Sequence, residues 1–130
     1  MGGKSATTSR RQALGRFGED LACRYLVGLG YEILARNWRC TAGEIDIVAV
    51  DDGCLVVCEV KTRTSMAFGP PEEAVTWRKA RRLRSLSRHW LAERAACEDA
   101  VRFPAIRVDV VAVSVPRRGA AVVNHLPGVC

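Results

Sequence analysis

The run EIDIVAVDDGCLVVCEVKTR, residues 44–63, is where the sequence says most. Two strongly apolar segments flank Asp51-Asp52-Gly53, and Asp-Gly between β-rich segments is the strongest short hairpin signal. Near-continuous Val and Ile belong to strands buried on both faces. Yet four ionisable groups are written into these strands: Glu44 and Asp46 in the first, Glu59 and Lys61 in the second. A charge on a buried strand is costly unless something pairs with it.

If Asp52-Gly53 forms a two-residue turn, Asp51 faces Cys54 and the ladder sets Asp46 opposite Glu59 and Glu44 opposite Lys61. Side chains alternate along a strand, so Asp46 and Glu59 share a face, and a one-residue slip would separate them. Like charges directly opposite repel across Cβ atoms only ~5 Å apart. One carboxyl then keeps a proton, or a cation sits between the two. Carboxylate oxygens suit Mg²⁺ or Mn²⁺ rather than zinc. Lys61, two residues past Glu59, points at the same spot. The alternative is an open sheet face on which Asp46 and Glu59 bond a nearby arginine, Glu44 belongs to the preceding turn, and Lys61 and Arg63 are solvated. The four apolar residues after Asp46 and the five before Glu59 argue against such a wet edge.

The surrounding composition is that of an ordinary globular domain. With 130 residues, 48% apolar and 26% charged, the chain supports one core without staples. Twenty Lys and Arg against fourteen acids leave a net charge of +6, which favours a polyanionic partner. The six cysteines (23, 40, 54, 58, 97 and 130) form no Cys-x-x-Cys, and His89 and His125 lie far from any pair of them. Zinc spacing is therefore absent, and reduced thiols in a cytoplasmic protein are expected. Met1–Ser9 has no apolar stretch, so neither a secretory signal nor a membrane anchor is expected. These nine residues read as a disordered tail and 10–130 as a single domain.

Leu14, Phe17, Gly18, Leu21, Ala22, Tyr25, Leu26 and Leu29 recur at helical spacing, with Gly30 as the stop. Glu19 lies on the flank of that face, either as a solvated edge residue or leaning toward the Asp46–Glu59 pair. Tyr31–Trp38 is a strand. Arg36 and Arg39 bracket Trp38, which either joins the core or, with those arginines, grips nucleic acid. After a loop punctuated by Gly69-Pro70-Pro71, a helix is expected from about Pro71 to Ala96. Its apolar stripe is Val75 or Trp77, Ala80, Leu83, Leu86 or Ser87, Trp90 and Leu91. The opposite face carries Arg78, Lys79, Arg81, Arg82, Arg84, Arg88 and Arg94, with no acid between Arg78 and His89. A surface helix ordinarily intersperses acids, so this one-signed face fits a phosphate backbone better than bare solvent. Arg107–Val115 and Ala120–Leu126 are two further strands. Asp109 echoes Asp46 in its local string and either shares that role or pairs with Arg107 or another arginine. His125 is expected to be a strand residue without special duty.

Asp46, a hairpin, then Glu59-Val60-Lys61 resembles the PD-(D/E)xK nuclease signature. From about Leu14 to Leu126 the chain is similar to the YraN-like uncharacterised family, through Gly15-Arg16-Phe17-Gly18-Glu19, Asn37-Trp38-Arg39, Gly43-Glu44-Ile45-Asp46, Glu59-Val60-Lys61-Thr62-Arg63 and Lys79 through Arg82-Leu83. The layout also resembles that of archaeal Holliday-junction resolvases, in which a glutamate on the first helix accompanies the other acids; Glu19 occupies that place. No proline precedes Asp46, and Cys58 stands where relatives often carry a bulkier apolar residue.

The resemblance implies an α/β, restriction-endonuclease-like core, with a central mixed sheet of about five strands flanked by helices. It further implies a metal-dependent endonuclease acting on structured nucleic acid, DNA rather than RNA, with branched DNA as one candidate. Asp46, Glu59, Lys61 and Glu19 would be catalytic, and Asp46, Glu59, Glu19 and the Val60 carbonyl would hold Mg²⁺ or Mn²⁺. Arg39, Arg63, Arg78, Lys79, Arg82 and Arg88 would contact the nucleic acid. Many such resolvases are dimers because a junction is two-fold, so a homodimer is one candidate assembly. The rival reading is a non-catalytic nucleic-acid-binding module on the same scaffold, and a third is an adaptor whose basic helix docks an acidic protein.

Overall fold

The computed structural model describes residues 2–64, 76–96 and 103–128. Its elements are α1 (Gly2–Gly28), β1 (Glu32–Cys40), β2 (Gly43–Asp51), β3 (Cys54–Arg63), α2 (Trp77–Ala95), β4 (Ile106–Ser114) and β5 (Val122–Leu126). The hairpin forms as the sequence implies: Asp51 pairs with Cys54, and Asp52 and Gly53 have φ of 50° and 79°. Two successive positive φ values are those of a type I′ turn, whose twist matches that of the flanking strands. The sheet order is β1-β2-β3-β4-β5, antiparallel except for β3 and β4. The parallel pair is joined through α2, as a crossover requires. The protein is thus an α/β fold with an open, mixed five-stranded sheet and a helix on each face, consistent with a restriction-endonuclease-like core.

The central strands are buried on both sides because each face has its own helix. On one face Ala22, Cys23 and Leu26 of α1 pack on Ile47, Ala49, Val56, Cys58, Val111 and Val113. On the other, Leu83, Leu86 and Trp90 of α2 pack on Ile45, Val48, Leu55, Val57 and Val108. The α1 stripe is narrower than its periodicity suggests, leaving Phe17 and Leu29 exposed. At Gly18 the helix backbone comes so close to the sheet that an added Cβ would collide with Thr62. The helix ends at Gly30, φ 96°, where Gly30 N–H donates to Val27 O and Tyr31 N–H to Leu26 O. That double reversal is a Schellman cap.

Other boundaries differ modestly from expectation. The described α1 reaches back to Gly2, through the residues expected to form a tail; adding turns to an anchored helix is far cheaper than nucleating one. Thr76 is the N-cap of the described α2, its Oγ1 accepting Lys79 N–H at 3.1 Å. The expected start at Pro71 lies outside the described residues. Trp77 is exposed, and the stripe of the described helix begins at Ala80; Val75, the other expected start, lies outside the described residues. Trp38 packs with the α2-side core and its indole N–H donates to Glu93 at 3.0 Å, tying β1 to α2. Among the described residues Cys23, Cys40, Cys54 and Cys58 are free thiols, and no helix is long and apolar enough to cross a membrane.

Candidate functional site

The ladder between β2 and β3 runs from Asp51–Cys54 to Ile47–Cys58 and stops one step short of Asp46 and Glu59. Strand β3 continues beside β4 as far as Arg63–Ser114. At the split, Val60 N–H loses a strand partner and donates instead to the Asp46 carboxylate, Oδ2 at 2.8 Å. A ladder donor that the neighbouring strand abandons has to be satisfied by something else, and a side-chain oxygen does so here. The same place is irregular on the other side. Asn37, which the β1–β2 register would set against Asp46, has φ 51° and is skipped in the pairing.

This irregularity corrects the expected geometry. Strict alternation would put Ile45 and Ile47 on one face, yet Ile45 belongs to the α2-side core and Ile47 to the α1-side core. Alternation is therefore reset at Asp46, and Asp46 and Glu59 do not share a face as a direct pair. Asp46 lines a cavity of about 290 Å³ beside α1, with Arg11, Leu14, Gly15, Glu19, Val60, Lys61 and Thr62. Glu59 lines a second cavity, of about 530 Å³, beside α2, with Gly43, Glu44, Thr76, Arg78, Lys79 and Arg82 among its walls. The two cavities adjoin along Glu59-Val60-Lys61. Glu19 thus joins Asp46, Val60 and Lys61, while Glu59 is drawn to α2, where its Oε1 lies 2.6 Å from Lys79 Nζ.

Electrostatics still link the two sides. Burial pushes the Asp46 carboxyl up to about 7, against the Val60 hydrogen bond, and the charges of Glu59, Glu19 and Glu44 push it further. Lys61 is lowered, first by burial and then by the ammonium of Lys79, with Glu59 and Asp46 opposing. An acid that ionises near neutrality beside a depressed lysine can exchange its proton for a cation with little penalty.

Among the described residues no three acidic, His or Cys side chains converge as a ready-made cage for a metal ion. The donor chemistry nevertheless suits a hard cation. Mg²⁺ keeps several waters and needs only one or two carboxylates, and Asp46 and Glu19 line one cavity with the Val60 backbone at its wall. Glu59 stands apart from them, its Oε1 held by Lys79.

The expected nucleic-acid contacts divide between the cavity and the surface. Arg78, Lys79 and Arg82 line the α2-side cavity, and Arg88 is exposed farther along that helix. Arg39 is held by Glu44, Nε to Oε2 3.0 Å, with both side chains largely exposed. Arg63 ends β3, its carbonyl accepting Val115 N–H at 2.7 Å. Arg11, Gly15 and Thr62 were not anticipated as site residues. Arg11, Gly15 and Glu19 follow one another at four-residue steps, a helical spacing that would have grouped them.

Asp109, the echo of Asp46, plays no part in either cavity. It is completely buried and accepts hydrogen bonds from Arg107 Nε (2.8 Å), Tyr31 OH (3.3 Å) and Gly128 N–H (3.0 Å). His125 Nε2 lies 2.7 Å from the same carboxylate, so His125 does have a specific partner, contrary to expectation. Arg107 also reaches Asp51 at 3.0 Å, which joins the hairpin turn to β4 and β5. These donors, Arg107 foremost, hold the Asp109 carboxyl below its ordinary range despite burial. Of the two readings open for Asp109, pairing with Arg107 is the one realised.

Residues 18–113 match the model of the uncharacterised protein family UPF0102. A UPF0102 protein of Nocardioides sp. is 53% identical over 125 residues, 96% of this chain and 97% of its own. One from Acidothermus cellulolyticus is 50% identical over 129 residues, covering 95% and 98%, and one from Kineococcus radiotolerans 52% over 119, covering 92% and 94%. With similarity of this extent running the length of both cavities and the sheet between them, the chain belongs to family UPF0102, the YraN-like family.

Proposed function

We propose that this protein is a metal-dependent phosphodiesterase of the PD-(D/E)xK type, acting as an endonuclease on structured nucleic acid. The observation that carries the proposal is the juxtaposition, across Glu59-Val60-Lys61, of a cavity holding Asp46 and Glu19 with Lys61 and Arg11, and a second holding Arg78, Lys79 and Arg82 with Glu59 and Glu44. A polyanion seated on the α2 side would present a phosphate to Asp46 and Glu19. Bound Mg²⁺ or Mn²⁺ would supply Lewis-acid polarisation of the phosphate and make a water easier to ionise. Asp46, Glu19 and the Val60 carbonyl are the groups that would hold it, with Glu59 completing the set. Lys61 would neutralise charge growing on the phosphate oxygens or orient the attacking water. Glu19 would accept the proton through water when it is not a ligand. Branched DNA is the first substrate to try, with a homodimer as the assembly that a two-fold junction would favour.

The test is cleavage of junction, flap and single-stranded DNA, and of RNA, in Mg²⁺ or Mn²⁺. Wild type should yield product, whereas Asp46→Asn and Glu59→Gln should bind and not cut. Equal cleavage by Glu59→Gln would refute the site. A second reading, a binding module without turnover, is favoured by the Lys79–Glu59 ion pair and the absence of a three-acid cage among the described residues. It predicts salt-sensitive binding with no product under any divalent ion.

A further inference from the structure

We propose that Lys79 is a phosphate-responsive latch: a nucleic-acid phosphodiester entering the α2-side cavity takes Lys79 from Glu59 and frees that carboxylate to join Asp46. This inference rests on the metal-dependent reading above and specifies how its site would be completed. It makes Lys79 a positioning residue, acting through Glu59.

Three features support it. The Lys79–Glu59 contact, at 2.6 Å, is among the shortest charge pairs of the described residues, and its carboxylate is only 15% exposed while its lysine is 34% exposed. The sheltered partner is thus the one needed inside, and the accessible partner is the one a polyanion can reach. Second, Lys79 shares its cavity with Arg78 and Arg82, while the acids on the same walls are Glu59 and Glu44. Glu44 is engaged by Arg39. A phosphate entering this space meets three cations, and transferring Lys79 to it exchanges one charge-assisted hydrogen bond for another. Third, β2 and β3 part immediately before Asp46 and Glu59, so no ladder pair lies between the two carboxylates, while the Glu59 backbone stays held against Val110 of β4. The Glu59 side chain can change partners by rotation, with both ladders intact.

The consequence is ordered assembly. Without nucleic acid, Glu59 neutralises Lys79 and the cation site lacks a ligand; with nucleic acid in place, the site fills. Cation and polyanion then bind with positive coupling, and linkage requires each to tighten the other by the same factor. A protein built this way holds its metal weakly until a substrate backbone is seated.

The experiment measures Mn²⁺ affinity by titration calorimetry or by the free-ion electron paramagnetic resonance signal, using Mn²⁺ alone and then with a short oligodeoxynucleotide. Lys79→Met should bind Mn²⁺ on the order of tenfold more tightly than wild type without DNA, the scale at which a ligand's outer partner tunes metal affinity. Lys79→Arg should restore the wild-type value, because it restores the ion pair. Arg82→Met, which removes an equal charge from the same cavity but leaves the pair intact, should have the smaller effect. The oligonucleotide should tighten Mn²⁺ binding to wild type more than to Lys79→Met. If Glu59→Gln weakens Mn²⁺ binding but Lys79→Met matches wild type, the latch is wrong and the metal site stands. If Glu59→Gln has no effect on Mn²⁺ in any background, the assignment of Glu59 to the metal fails, and the latch with it.

Discussion

Replacing Asp46 with Asn should stabilise the protein at alkaline pH and leave it nearly unchanged in mild acid. The carboxyl has an ordinary value of 3.8 and is held at about 7 in the fold. Between those values the folded chain keeps a proton that the unfolded chain has lost. Stability therefore falls as pH rises through this window and levels off above it. Each pH unit of displacement corresponds to about 1.4 kcal/mol. Displacement over the whole window amounts to ~4 kcal/mol at most, and because the group lines a cavity that water can enter, a cost of ~2 kcal/mol is the better figure. Asn keeps the oxygen that accepts Val60 N–H and has nothing to titrate. Urea denaturation of both proteins from about pH 4.5 to about pH 8.5, without divalent ions, should show a stability difference of Asn over Asp that grows by ~2 kcal/mol. Added Mn²⁺ at the alkaline end should raise the melting temperature of wild type and not of Asp46→Asn, since only a state that binds the ion gains from it. A difference that stays flat with pH would refute the claim that burial and neighbouring acids strain Asp46.

Asp109→Asn should cost ~3 kcal/mol in chemical denaturation, because Arg107 then loses its buried partner, and the contribution of Asp109 should vanish as pH falls through its depressed value; a loss below ~1 kcal/mol would show that the cluster is not integral to the fold. Gly18→Ala should destabilise by ~1–3 kcal/mol through overpacking against Thr62, despite the better helix propensity of Ala, and Thr62→Ala, which deletes the closest opposing atom, should restore part of the loss. Charge reversal of Arg78, Arg82 and Arg88 to Glu should abolish nucleic-acid binding in a fluorescence anisotropy titration, and wild-type affinity should fall with salt by a log–log slope of about −0.9 per duplex phosphate contacted. Binding that survives the reversal would leave α2 without its proposed role.

Much of the architecture was legible because it rests on local chemistry. Asp52-Gly53 dictates a turn with two positive φ values, and the turn fixes the register of the first five hairpin pairs. Periodicity located both helices, and the lack of acids between Arg78 and His89 marked the face of α2 that lines the α2-side cavity. The flank position of Glu19 left two readings open, and it lines one cavity with Asp46 and Lys61.

The rest depended on contacts between residues distant in the chain. Period-two alternation set Asp46 and Glu59 on one face, but alternation holds only while the strands stay paired. Once β3 follows β4 and leaves β2, Val60 N–H needs an acceptor, and Asp46 turns to supply it. Which acid Lys79 seizes, and that Tyr31 and His125 join Arg107 on Asp109, likewise follow from elements the fold brings together from separate parts of the chain. Patterns within a few residues wrote the strands, the helices and the supply of charges; pairing of those charges was left to packing, because a buried carboxylate takes whichever donor the assembled layers set beside it.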